Sequence, residues 1–162
     1  MVDDTSRAES DPAQTEQREE ASQQFVVIRL GREFYGIPTE KTREVAKPLK
    51  ITRIPGTPSH IMGLMNLRGE ILCIVDVKVL LNVGEILPTE SSKIVVIKTR
   101  EGPVGVFCDD IIDIYTIQKK NIEAPLFTFS SQFGGCIKGE IQTRDGLLGI
   151  LDIEELLFRQ EK

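Results

Sequence analysis

The chain has no tryptophan, a single histidine and three cysteines, odd in number and far apart. Each shortage excludes something. Cys73, Cys108 and Cys136 form no Cys-x-x-Cys pair, so neither a zinc site nor a disulfide framework is supplied. All three adjoin β-branched or apolar residues and read as small buried hydrophobes. His60 sits in a Pro-flanked stretch with no Asp or Cys at metal-ligand spacing, so it reads as a structural histidine rather than an acid–base group. Ser59 lacks the Gly-x-Ser-x-Gly elbow of a nucleophile. Residues 134–139 lack the glycine order and the Lys-Ser/Thr pair of a phosphate-cradling loop. No apolar run approaches the ~20 residues that cross a bilayer, and nothing apolar precedes Phe25, so a secretory signal is not expected.

Charge is unevenly placed. Residues 1–24 hold seven acids against two arginines, which accounts for the whole net charge of −5. The remaining residues are balanced, so no basic excess favours nucleic acid. The tail 1–24 is rich in Gln, Ser and Glu, cannot build a core, and is expected to be disordered.

What is present is a strand-rich body with an internal echo. Leu72-Cys-Ile-Val-Asp-Val-Lys-Val-Leu-Leu81 returns as Leu148-Gly-Ile-Leu-Asp-Ile-Glu-Glu-Leu-Leu157. In each copy an apolar strand runs into an Asp placed to cap a short helix, Asp76 and Asp152. Residues 25–30 and 33–37 read as a hairpin about Gly31-Arg32; 93–99 and 104–108 read as another; 136–142 and 147–151 read as a third about Asp145-Gly146. Residues 39–46 and 58–62 have helical character. Residues 109–117 mix periods of two and 3.6, and 118–135 reads as a long loop. Asp109, Asp110 and Asp113 read as a solvated strand end. Strands at this spacing with glycine corners argue small barrels. The echo argues two lobes.

The corner Asn66-Leu-Arg68-Gly69-Glu70 lies between two apolar runs. Arg68 there either bonds the carbonyls of its own turn or projects as a recognition arginine. The corner matching it in the second copy is taken as Ile137-Lys-Gly139, which carries neither Asn66 nor Arg68. That asymmetry favours recognition.

The run Ile51-Thr-Arg-Ile-Pro-Gly-Thr-Pro, then Ile61-Met-Gly-Leu-Met-Asn-Leu-Arg-Gly-Glu-Ile-Leu-Cys-Ile-Val-Asp76, resembles the signature of CheW-like chemotaxis coupling proteins. Phe34-Tyr-Gly-Ile37, Thr42-Arg-Glu-Val45, Val104-Gly-Val-Phe-Cys-Asp109 and Leu148-Gly-Ile-Leu-Asp-Ile153 fit the same pattern. The resemblance covers residues 25–158, with 159–162 a short C-terminal tail. It departs at Cys73, where the family usually has Pro. It implies a mainly β fold: two five-stranded SH3-like barrels sharing an apolar core, with short helices. It implies a cytoplasmic, non-catalytic adaptor without cofactor or metal. Such an adaptor links the tip of a methyl-accepting chemotaxis receptor to the regulatory domain of a histidine kinase, without nucleic acid or membrane insertion, and is monomeric alone. By the resemblance, Arg68, Glu44, Ile111, Asn66 and Gly69 are receptor-binding, and Gly63 and Gly105 shape the groove. Alternative readings are an adaptor whose pathway has a non-flagellar output, a regulatory fragment of a larger histidine kinase, and an unrelated small-barrel enzyme. The missing catalytic set weighs against the last.

Overall fold

The computed structural model describes residues 21–124 and 136–158. Eleven strands form among them: β1 (Ser22–Leu30), β2 (Glu33–Pro38), β3 (Thr42–Ala46), β4 (Ile51–Thr52), β5 (Ile61–Leu67), β6 (Glu70–Asp76), β7 (Lys93–Thr99), β8 (Gly102–Cys108), β9 (Asp110–Gln118), β10 (Ile137–Thr143) and β11 (Gly146–Leu151). Two short helices follow the repeated aspartates, α1 (Val77–Leu80) and α2 (Ile153–Phe158). The Asp76 carboxylate accepts from the Lys78 amide, and that of Asp152 from the Glu155 amide, as capping residues do.

The strands form two sheets. One is five-stranded, in the order β10-β11-β2-β1-β9. The other is six-stranded, in the order β3-β7-β8-β6-β5-β4. The two-residue strand β4 is the addition to the expected five. Alternation along the strands divides the apolar side chains among three clusters. One lies within the six-stranded lobe, around Met65, Leu72, Ile74 and Phe107. One lies within the five-stranded lobe, around Phe25, Val27, Leu148 and Ile150. The third joins the lobes and draws Val26, Ile28, Tyr35, Val75, Val95, Val106, Leu151 and Leu156 into a shared core.

The chain path through the lobes is exchanged. The first half contributes its hairpin β1–β2 to the five-stranded sheet and β3–β6 to the six-stranded one; the second half contributes β7–β8 to the six-stranded sheet and β9–β11 to the five-stranded one. The halves correspond closely. Ile74 lies opposite Gly105 in the parallel pair β6–β8, and Ile150 opposite Gly36 in the parallel pair β11–β2. Both β5 and β10 are irregular at the same place, between Ile61 and Gly63 and between Ile137 and Gly139. The Asp76 amide donates to the His60 carbonyl at 2.8 Å, and the Asp152 amide to that of Cys136 at 2.7 Å.

This correspondence corrects the matching of the corners. Ile137-Lys-Gly139 corresponds to Ile61-Met-Gly63. The counterpart of the Arg68-Gly69 turn is Arg144-Asp145, between Thr143 and Gly146. An arginine therefore stands at both corners, and its presence at one of them does not mark that corner for recognition.

Other expectations also change. Residues 39–46 are not a helix: a 3-10 turn spans Thr39–Lys41, and β3 follows, paired with β7. Exposed Arg43 and Val45 alternate with half-buried Thr42, Glu44 and Ala46, a period of two that tertiary pairing imposes over local charge. Of residues 58–62, only 58–61 make a turn, closed by the Ile61 amide on the Pro58 carbonyl, and β5 already starts at Ile61. In the ambiguous stretch 109–117, residues 110–117 are strand, bulged opposite Val27 and Ile28. β1 begins at Ser22, three residues before the expected boundary of the tail. The rest of that tail, residues 125–135 of the long loop, and the C-terminal tail lie outside the described residues.

Asp109 is not part of a solvated strand end. It is buried, its carboxylate accepts from the Gly31 amide at 2.6 Å and from Lys78 Nζ at 3.2 Å, and its own amide donates to the Arg29 carbonyl. Asp110 is half-buried and Asp113 exposed. No helix among the described residues is long and apolar enough to cross a membrane.

Candidate interaction site

The corner between β5 and β6 is a tight two-residue turn. Arg68 and Gly69 have φ of +52° and +88°, the two positive values that a type I′ hairpin needs. Asn66 holds the turn by accepting the Gly69 amide on its side-chain oxygen at 2.8 Å. Asn66 and Gly69 thus aim the arginine.

Arg68 does not bond its own turn. Its Nη2 donates to both carboxylate oxygens of Glu44, at 2.6 and 2.7 Å. Arg43 binds the same carboxylate at 2.9 Å and reaches Glu70 with its other terminal nitrogen at 2.8 Å. Four alternating charges therefore tie edge strand β3 to the β5–β6 corner. Arg68 hydrogen-bonding to Glu44, followed by Arg43, holds the Glu44 carboxyl below the ordinary Glu range. The Arg68 side chain remains 66% exposed against 24% for Glu44, so the carboxylate anchors a cation that still faces solvent. Arg43 and Glu70 were not singled out from the sequence. Their signal was adjacency: each directly neighbours a residue of the Arg68–Glu44 pair or its turn.

Beside this corner lies an apolar groove of about 580 Å³. Its walls include Ile61, Leu64, Ile71, Cys73 and Val104 from the six-stranded sheet, with Leu157 and Phe158 of α2 opposite. Ile71 is the link to the corner: it follows Glu70 and lies opposite Asn66 across the hairpin, and it is 57% exposed. Ile61, Cys73, Val104 and Phe158 also pack on the core shared by the lobes, so that core reaches the surface here. His60 lines the groove, and partial burial lowers its pKa. Burial raises that of the Cys73 thiol, so this free cysteine behaves as a half-buried hydrophobe; Cys108, fully buried, is pushed up to about 12.

The two halves of the chain give this groove an internal comparison. His60, Ile61, Leu64, Cys73 and Val104 are all half-buried. Their counterparts Cys136, Ile137, Glu140, Gly149 and Tyr35 are all buried. At these five positions the face is covered on one lobe and half-open on the other, while Leu147, the counterpart of Ile71, stays half-buried. Tyr35 stands in the closed one where the open one has the smaller Val104. A wider cleft of about 1080 Å³ between β9 and β10 is lined mostly by polar side chains, including Asp113, Gln118, Glu123 and Arg144.

The remaining sequence-selected residues lie elsewhere. Ile111 is on β9 of the other sheet, half-buried against the shared core. Gly63 and Gly105 are buried within the six-stranded lobe. A Cβ on Gly63, at φ +142°, would come within 2.2 Å of the Thr52 carbonyl oxygen, and one on Gly105 within 2.5 Å of Ile74 Cδ1. Both glycines let strands close up behind the groove.

The two sheets pack into lobes that leave an open apolar groove between them. In comparison with known proteins, the CheW-like domain family matches residues 24–161, and the chain belongs to that family. It is 30% identical over 148 residues to the chemotaxis protein CheW of Klebsiella aerogenes, covering 88% of this chain and 86% of that one. It is 26% identical over 138 residues to CheW of Bacillus subtilis, covering 85% and 88%. The crystal structure of the scaffolding protein TtCheW from Thermoanaerobacter tengcongensis superposes with a TM-score of 0.75 at 28% identity, over 83% of this chain and 86% of that one. The chain is accordingly a non-catalytic adaptor of the kind that couples chemoreceptors to a histidine kinase.

Proposed function

We propose that the open groove takes one helix of the hairpin tip of a methyl-accepting chemotaxis receptor. The observation that carries this reading is the asymmetry between the two halves: the fold closes this face on one lobe, so its openness on the other is not required for folding. An amphipathic helix laid in such a groove buries its apolar stripe against Ile71, Leu64 and Val104. The charged corner sets its register from the rim. There Arg68 offers free donors while Glu44 fixes its position, and Asn66 and Gly69 hold the turn. Ile111 supports the groove from beneath, through the shared core. Gly63 and Gly105 keep the strands close behind it.

The second partner in this reading is the regulatory domain of a histidine kinase. The edge strands suit it: β3 and β9 end the two sheets at corresponding places and expose Val45 and Ile114, at 44% and 55%.

The test is binding of a soluble receptor hairpin fragment to Ile71→Asp, Arg68→Ala and Arg68→Glu variants. A carboxylate at Ile71 faces an apolar partner and should weaken binding at least tenfold. Arg68→Glu should weaken it more than Arg68→Ala. Unchanged affinity for Ile71→Asp in a folded protein would remove the receptor from the groove.

A further inference from the structure

We propose that Arg100 is a positioning residue for the helix docked in the groove, because it holds Phe158 as the far wall. This rests on the reading that the groove takes a receptor helix. Arg100 lies in the turn between β7 and β8, on the six-stranded lobe, and its guanidinium carbon sits 4.3 Å from the centre of the Phe158 ring. Phe158 ends α2, which follows β11 of the five-stranded lobe. The pair therefore clasps the two lobes together at the edge of the groove.

The wall behaves differently along its length. Leu157 is buried and fixed by the shared core, whereas Phe158 is only half-buried. Phe158 packs on the shared core yet keeps part of its surface open, and the Arg100 guanidinium lies over its ring. A planar cation over the aromatic face resists rotation of the ring into the groove. Neither member belongs to the internal repeat. At the corresponding places the chain has Gly31 and Asn82, and α1 stops at Leu80 where α2 continues to Phe158. The clasp thus exists at the open face and is missing at the closed one, as a groove-specific device requires.

Binding of a soluble receptor hairpin fragment is measured for the full chain and for Arg100→Ala, Arg100→Lys, Phe158→Leu and the Arg100→Ala/Phe158→Leu double variant, with thermal unfolding alongside. Arg100→Ala should weaken binding about two- to fivefold, the effect of losing an exposed cation–aromatic pair. Arg100→Lys, which keeps a cation, should recover most of it. Phe158→Leu should weaken binding similarly, and the double variant should be no weaker than the worse single one, with the unfolding midpoint little changed throughout. Wild-type affinity for Arg100→Ala, or strictly additive losses, would overturn the assignment. Ile71→Asp separates the two layers. If it abolishes binding while Arg100→Ala does not affect it, the groove stands and Arg100 is merely structural. If Ile71→Asp binds normally, the groove itself is not the docking site.

Discussion

The buried ion pair between Lys78 and Asp109 gives the sharpest test of how the lobes are joined. Lys78 lies in the first turn of the helix that follows β6 of the six-stranded lobe. Asp109 lies where the chain crosses from β8 to β9, and it also holds the Gly31 amide of the β1–β2 turn. The two side chains are 10% and 12% exposed, with Nζ to Oδ2 at 3.2 Å. Removing one partner leaves the other charge nearly stripped of water, at a cost of about 3–5 kcal/mol. With that residual exposure, Lys78→Met costs ~3 kcal/mol. Asp109→Ala loses the pair and also orphans the Gly31 amide, which adds ~1–3 kcal/mol. The double variant Lys78→Met/Asp109→Ala no longer carries an unpaired charge. It should therefore be no less stable than Asp109→Ala alone, so that the two losses fall short of additivity by at least ~3 kcal/mol. Urea unfolding of the four proteins completes the cycle; in a chain of this size Lys78→Met alone should lower the thermal midpoint by about 6–12 °C. Losses that add to within ~0.5 kcal/mol would show that the two charges are solvated independently, and that this pair does not join the lobes.

Three further outcomes follow from the geometry. Gly63→Ala should destabilise more than Gly105→Ala in thermal unfolding. The first forces a Cβ onto a backbone oxygen at positive φ, with a cost above ~2 kcal/mol; the second meets the movable end of Ile74. The Glu44 carboxyl is held below its ordinary value of 4.5, so its tether to Arg68 is complete at neutral pH and is lost as pH falls through that lowered value. Titrating Glu44 by NMR should place its midpoint below 4.5 in the wild type and return it toward that value in Arg68→Ala. Cys108 should resist a thiol reagent at pH 8 in the folded protein, and Cys73 should react sooner, since Cys108 is buried with its pKa near 12 while Cys73 is half-exposed. Equal rates would refute the burial order.

Much of the fold was legible because its signals are local. Alternation marked the hairpins, Asp145-Gly146 marked a turn, and Asp76 and Asp152 before apolar helical stretches marked caps. Features set by distant pairing were not legible. Glu44 sits in a run whose charges suggest helix until β7 lies alongside it. Asp109 looks like one of three surface carboxylates until Lys78 arrives from another element. Carried back four residues from Leu72 and Leu148, the same echo sets Arg144 opposite Arg68, so that counterpart is legible in the sequence itself. Arg68 itself was legible through resemblance, but its carboxylate clamp needed β3 to be a strand. The groove had no sequence signal beyond an isoleucine at an outward position. It exists only once Cys73, Val104 and Phe158 converge from three elements.

The exchanged hairpins carry a consequence for descent and assembly. A half-chain ending near residue 82 holds β1–β2 of one lobe and β3–β6 of the other, and so completes neither. A primitive protein of that length would close its sheets only by trading hairpins with an identical copy across a two-fold axis. Joining two such copies end to end, through residues 82–92, would turn that obligate dimer into a single chain with a built-in pseudo-dyad. Once the copies share a chain they are free to diverge. One face of the old symmetric pair can then remain sealed while the other opens to a partner, a division of labour that true identity between subunits forbids.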